Sequence, residues 1–110
     1  GQEYLHFNTT TSEITTAAGT PSDIRWKSDI IETKKGLKEV EAMRVVDYLF
    51  EGRKKRETGL IAQELEEILP ESIWHDQKGY KSIMYDKVVP VLIKAIQDLS
   101  ERVKELEERK

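Results

Sequence analysis

The last third of the chain carries an apolar repeat that constrains the fold more than any other feature of the sequence. Six aliphatic residues recur at alternating steps of three and four, which is the a/d pattern of a coiled-coil helix. They are Val89, Leu92, Ile96, Leu99, Val103 and Leu106. Arg102 at a g position and Glu107 at the next e position have the spacing of an interchain ion pair. We therefore predict that residues 87–110 form a helix that joins several copies of the chain.

A single amphipathic helix lying on its own domain is the alternative to a coiled coil. For residues 89–96 this alternative holds as well, because Ile93 and Ala95 widen the apolar face there. Beyond Leu99 only the narrow a/d stripe remains apolar, and such a stripe fits a partner helix better than a globular core. In parallel coiled coils, Val or Ile at a with Leu at d favours two strands, so the repeat by itself indicates a dimer.

Composition limits what the chain can do alone. Its 110 residues are 37% apolar and 35% charged, which allows one domain with a modest core and makes association a source of stability. The net charge of −3 is spread along the chain, so we expect no binding to nucleic acid or to an anionic membrane. No apolar run approaches the roughly 20 residues that span a bilayer. The chain has no cysteine, and His6 and His75 are too far apart to indicate a metal site.

Three regions differ in character along the chain. Residues 1–21 are rich in threonine and small residues and nearly free of charge, which predicts an extended segment closed by Pro21. Residues 22–86 alternate helical and strand-like patterns, and residues 87–110 carry the heptads. We expect the first region to be either a loose terminus or the end of a β-rich stalk.

The middle region predicts a small α+β core. Leu37, Val40 and Met43 recur at helical spacing after a glycine, and residues 45–50 pair with a strand near residues 58–60. An amphipathic helix follows from Ile61 to Leu69 and is stopped by Pro70. A second hairpin joins residues 73–75 to residues 80–83 across a turn that contains Gly79.

Three sequence blocks stand in a fixed order before the heptad helix. They are Ser22-Asp23-Ile24-Arg25-Trp26-Lys27, the run Gly59-Leu60-Ile61-Ala62-Gln63-Glu64-Leu65-Glu66-Glu67-Ile68-Leu69-Pro70, and Gly79-Tyr80-Lys81-Ser82. Because it carries these three blocks in this order, the chain resembles the C-terminal intramolecular chaperone autoproteases of phage tailspikes, tail fibres, neck appendages and endosialidases. The resemblance covers about residues 22–106.

The resemblance implies a homotrimer, and we adopt that number over the dimer that the a/d residues favour. It also implies that Ser22 is a nucleophile, that Lys27 is its base, and that the scissile bond is Pro21-Ser22. The partner would be the β-rich fibre of the same polypeptide, and no cofactor would be needed. Trimerisation would occur in the host cytoplasm during virion assembly, and cleavage would release the domain from the mature fibre.

Helix geometry constrains the proposed pair of Ser22 and Lys27. Five residues along one straight helix turn through about 500°, which leaves the two side chains about 140° apart around the axis. Either the backbone bends between them, or the lysine comes from a neighbouring chain. Without the resemblance, Ser22 is more simply an N-cap of a short helical turn and Lys27 a solvated lysine.

Two alternative functions stay open at this point. The first is a non-cleaving oligomerisation and folding module with the same fold. The second is a domain of a cellular membrane-tethered factor, a kind of protein that the family also includes.

Overall fold

The computed structural model describes residues 19–109, and these fall into two units. The first unit ends at Glu32 and the second begins at Thr33. The predicted stalk, residues 1–21, lies outside the described residues except for its last three, which belong to neither a helix nor a strand. The predicted division of the chain at residues 22 and 87 stays a prediction.

The second unit is an α+β fold, as the sequence predicts. Within residues 33–109, helices and hairpins alternate in the order helix, hairpin, helix, hairpin, helix. The elements are α1 Leu37–Glu41, β1 Val46–Leu49, β2 Arg56–Gly59, α2 Ala62–Ile68, β3 Ile73–His75, β4 Lys81–Ile83 and α3 Val89–Glu108. Two further 3-10 turns, Pro70–Ser72 and Tyr85–Lys87, were not predicted from the sequence.

The two hairpins form separate two-stranded antiparallel sheets. Val46 lies opposite Gly59 in the first sheet, and Ile73 lies opposite Ile83 in the second. The loop of the second hairpin is held by the Asp76 carboxylate, which accepts the backbone N–H groups of Lys78 at 2.8 Å and Tyr80 at 2.9 Å. This arrangement is a side-chain-stabilised turn, and it fixes the register of the hairpin.

The core lies where α2, the second hairpin and the start of α3 meet. Its buried apolar side chains are Leu65, Leu69, Ile73, Val88 and Val91. Among them the hydroxyl of Ser72 is also fully buried, and it donates a hydrogen bond to the carbonyl of Leu69 at 2.7 Å. This bond satisfies a polar group that would otherwise be costly to bury. The core is small, in agreement with the modest core that composition predicts.

Helix α1 is closed at its start by a carboxylate from α3. The N–H of Leu37 donates to Asp98 Oδ2 at 3.1 Å, and the N–H of Gly36 donates to Glu39 Oε1 at 2.8 Å. Gly36 has no side chain to act as an N-cap, so Asp98 supplies the acceptor from a distant part of the chain. A Cβ at position 36 would lie 2.5 Å from Asp98 Oδ2 and 2.8 Å from Cγ of Lys94. A larger residue at position 36 would therefore push the Asp98 and Lys94 side chains out of their present positions.

Ion pairs link α2 to its neighbours. Arg44 makes a two-pronged contact with Glu64, at 3.0 and 2.6 Å. Glu66 accepts from Lys81 and lies 2.9 Å from Nε2 of His75 on the second hairpin. The hydrogen bond from Lys81 is the main reason why the pKa of Glu66 is lowered, with His75 adding a smaller effect. These groups are all partly in solvent, so they guide packing more than they stabilise the fold.

We predict that Leu69→Ala lowers the free energy of unfolding by about 2 to 5 kcal/mol, because it leaves a cavity in a fully buried site. Leu69 is 0% exposed, whereas Leu49 on the first hairpin is 53% exposed. The matched variant Leu49→Ala should change stability by about 0.5 kcal/mol or less. Urea denaturation followed by circular dichroism measures both. Equal losses in the two variants would contradict this location of the core.

Candidate active site

The structure brings the two predicted catalytic side chains into direct contact. Nζ of Lys27 lies 2.6 Å from Oγ of Ser22, within one chain. Both residues are exposed. Helix geometry allows either a bend between the serine and the lysine or a lysine from another chain. The contact in this chain corresponds to the bend.

A single 3-10 turn produces this bend. Residues Ile24–Trp26 form the turn, and it is closed by hydrogen bonds from Trp26 N to Asp23 O and from Lys27 N to Ile24 O, both of 3.0 Å. Three residues of a 3-10 helix make one full turn. The flanking residues, Asp23 and Lys27, have extended backbones. The turn brings the Lys27 side chain back to Ser22, as their contact shows.

Asp23, and not Ser22, is the N-cap of the turn. Its Oδ1 accepts the backbone N–H of Arg25 at 2.9 Å. The Arg25 side chain also donates two hydrogen bonds to the same carboxylate, from Nε at 3.0 Å and from a terminal nitrogen at 2.8 Å. These side-chain hydrogen bonds, followed by the backbone one, hold the pKa of Asp23 below its ordinary value. Sequence reasoning missed this role, although an aspartate just before a short helical turn is a recognised capping signal.

The contact has the reach needed for proton transfer, since a general base must lie about 2.6 to 3.2 Å from the group it deprotonates. A charged lysine can only donate a hydrogen bond to the serine, whereas a neutral amine could accept the proton of its hydroxyl. Removal of water from around an amine favours its neutral form. Ile24, Ile30 and Ile31 in the same unit are large apolar side chains that lie exposed.

The predicted a/d residues lie along one exposed face of α3, which we call the seam. Its members are between 40% and 67% exposed: Val89, Leu92, Ile96, Leu99, Val103 and Leu106. The residues of α3 that are buried on the chain's own fold are Val91 and Ala95. At 100° per residue, the centre of the seam lies about 90° around the helix from these two. The helix therefore has two apolar faces, and the domain uses only one of them.

A shallow apolar groove of about 230 Å³ lies between α1 and α3. Its lining residues are Leu37, Val40, Leu92, Ala95, Ile96 and Leu99. Three of these belong to the seam, so groove and seam form one continuous apolar surface.

Other features of the described residues point to no further chemistry. Within residues 19–109 there is no group of three or more His, Asp or Glu side chains placed to hold a metal, and no helix long and apolar enough to cross a membrane. In the basic hairpin loop, Arg53 pairs with Glu57 and its guanidinium lies 5.0 Å from the centre of the Phe50 ring. The positive charge of Arg53 therefore makes contacts within the hairpin itself.

Residues 22–74 match a known protein family, and longer stretches of the chain are similar to known proteins. A peptidase family model, described as the chaperone of endosialidase, matches residues 22–74, so the match begins at the serine. The chain is 34% identical over 97 residues to the long tail fiber protein Gp37 of Enterobacteria phage K3, covering 80% of this chain and 8% of that protein. It is 47% identical over 55 residues to the Gp37 of Enterobacteria phage M1, covering 47% of this chain and 22% of that protein.

A relative outside the phages is the Myelin regulatory factor homolog 1 of Caenorhabditis elegans, 32% identical over 101 residues. That alignment covers 81% of this chain and 11% of the relative. Residues 22–74 match the chaperone-of-endosialidase family, and the predicted resemblance to the C-terminal chaperone domains of phage fibres is confirmed. The chain spans less than a tenth of the K3 fibre protein that it matches.

Proposed function

We propose that this chain is an intramolecular chaperone that trimerises and registers a phage fibre or appendage protein in the host cytoplasm, then cuts itself off at Pro21-Ser22. The observation that carries the proposal is the contact of 2.6 Å between Lys27 Nζ and Ser22 Oγ. Its support from relatives is the match of the peptidase family model from residue 22 onward and the similarity to long tail fiber proteins.

The cut follows from the position of the serine directly after the scissile bond. Ser22 Oγ attacks the carbonyl carbon of Pro21 while neutral Lys27 takes the hydroxyl proton. The bond between that carbon and the nitrogen of Ser22 breaks, and the nitrogen receives the proton from Lys27. The product is an ester between Pro21 and Ser22 Oγ. Water then hydrolyses this ester, which leaves a fibre ending in Pro21 and a free chaperone beginning at Ser22.

Assembly is the proposed trigger of the cut. In the single chain both Ser22 and Lys27 are exposed to water. Association that covers Ile24, Ile30 and Ile31 would exclude water from the segment that carries Ser22 and Lys27. The serine then becomes a nucleophile only after the copies have gathered.

The seam is the proposed surface of trimerisation. Because it lies about 90° away from the buried face, α3 can stay on its own domain while its other face packs against two further copies. The g and e positions of Arg102 and Glu107 would then form ion pairs between neighbouring helices.

A physical reason for a temporary chaperone lies in the folding of fibres. Parallel pairing of strands from separate chains is slow, because distant segments must meet before any contact stabilises them. Holding three C-termini together raises the effective concentration of the strands and sets their register. Cleavage afterwards removes the nucleus that formed the fibre, so the fibre becomes kinetically hard to unfold.

A non-cleaving folding module is the second candidate, and the exposure of the dyad in the single chain favours it. The same domain in a cellular regulatory factor is a third, since the Caenorhabditis elegans relative aligns over as much of the chain as the K3 fibre protein does. Both share the seam with the leading proposal.

We predict that the purified oligomer releases a species that begins at Ser22, detectable as a mass loss by intact-protein mass spectrometry. Ser22→Ala should abolish the release, because the nucleophile is gone. Lys27→Ala should slow it by about a hundredfold or more, because general base catalysis is lost. An associated wild-type sample that stays intact for days would support the non-cleaving module instead.

We also predict that the lysine serves the serine of its own chain. Mixed oligomers of a Ser22→Ala chain and a Lys27→Ala chain should stay uncut, because neither chain holds a complete pair at 2.6 Å. The two chains are refolded together from denaturant, with wild-type protein refolded alongside as the positive control. Cleavage of the Lys27→Ala chain in the mixture would show that the base is donated between chains.

A charge placed in the seam should prevent association. Val103 is 47% exposed in the single chain, and Val103→Lys puts an ammonium where a partner helix would pack. We expect sedimentation to show a fall from trimer to monomer. The matched variant Glu101→Lys, on the far side of the same helix, should leave the trimer intact. A dissociation caused equally by both variants, or by neither, would remove the seam from the interface.

A further inference from the structure

We propose that Asp23 is the positioning residue of the dyad, and that it acts through its cap on the turn and not through its ion pair with Arg25. This inference rests on the proposed self-cleavage. It assigns to a third side chain the task of keeping Lys27 folded back on Ser22.

The turn is three residues long, and two backbone hydrogen bonds close it, from Trp26 N and Lys27 N. A first helical turn is unfavourable to form, because several backbone angles are fixed for each hydrogen bond gained. The carboxylate of Asp23 adds a third bond, by accepting the N–H of Arg25 at 2.9 Å. Without this acceptor the N–H has no partner in the turn, and the turn that joins Ser22 to Lys27 is weakened.

The cap also leaves the serine available. Serine and aspartate are both good N-cap residues, and here they stand side by side at positions 22 and 23. Asp23 takes the capping role, while Ser22 Oγ accepts from Lys27 Nζ. If the serine were the cap, its hydroxyl would be turned toward the backbone of the turn and away from the lysine.

We expect the ion pair between Asp23 and Arg25 to stabilise the turn less than the cap does. The Arg25 side chain is 85% exposed and that of Asp23 is 36% exposed. Ion pairs in contact with bulk water contribute little to stability, because solvent screens them and long side chains lose freedom. The backbone N–H, in contrast, needs an acceptor whenever the turn forms.

Four variants separate the cap from the charge, with the cleavage rate measured by intact mass on the assembled protein. Asp23→Ala removes both contacts, and we expect cleavage to slow by about 10- to 100-fold, because the reacting groups are no longer held. Asp23→Asn keeps the capping oxygen, and Arg25→Ala keeps the cap itself, so both should stay within about threefold of wild type. Glu32→Ala, which removes an exposed carboxylate of the same unit, is the control and should cleave like wild type.

A second measurement reads the turn without cleavage. In a Ser22→Ala background the chain stays intact, and hydrogen exchange at the Arg25 amide should become about fivefold faster with Asp23→Ala than with Asp23→Asn. Wild-type cleavage in the Asp23→Ala variant, or equal slowing by Arg25→Ala, would overturn the role of the cap. Equal exchange rates at the Arg25 amide in the Asp23→Ala and Asp23→Asn variants would overturn the role of the cap as well, even if no variant cleaves. Failure of the wild type alone to cleave would count against the proposed function, whereas faster exchange would still support the cap.

Discussion

Packing of the C-terminal helix on its own domain is the interaction on which the rest of the second unit depends. Val88 and Val91 at its start complete a core that otherwise comes from α2 and the second hairpin. Because this contact uses only one side of α3, the seam stays exposed and continues past the end of the globular part. Helix α3 packs on its own domain near its start, and its seam is exposed along another face. Such a helix could pack against other copies without the unfolding of any of them.

The geometry of the candidate site has a different origin, since it is local. One 3-10 turn, capped by the residue next to Ser22, places a hydroxyl and an amine 2.6 Å apart in a segment of six residues. Such a site needs no large core to exist, and both side chains are exposed to water in the single chain. In the proposed mechanism, association would supply the dry surroundings that a neutral amine requires. The segment would then be inert in one chain and reactive in an assembly.

Much of the fold could be predicted from the sequence because its signals are periodic. Helix α2, both hairpins and the long helix α3 follow from apolar spacing and turn residues, and Pro70 ends α2 as expected. The two 3-10 turns of the second unit could not be predicted, because three-residue turns have no period to detect. At the site, spacing excluded a straight helix but left two solutions. The turn at Ile24–Trp26, which brings Lys27 to Ser22 within one chain, has no period that the sequence could reveal.

The carboxylate of Asp98 connects the long helix α3 to the start of α1. It sits on the helix that carries the seam, yet it closes the start of α1 through the N–H of Leu37. Turning α3 by one residue about its own axis would swing this carboxylate about 100° away from its donor. Only one rotation of the long helix on its domain therefore keeps the N–H of Leu37 hydrogen-bonded to Asp98. The direction in which the exposed apolar face points is thus set by the fold of the single chain.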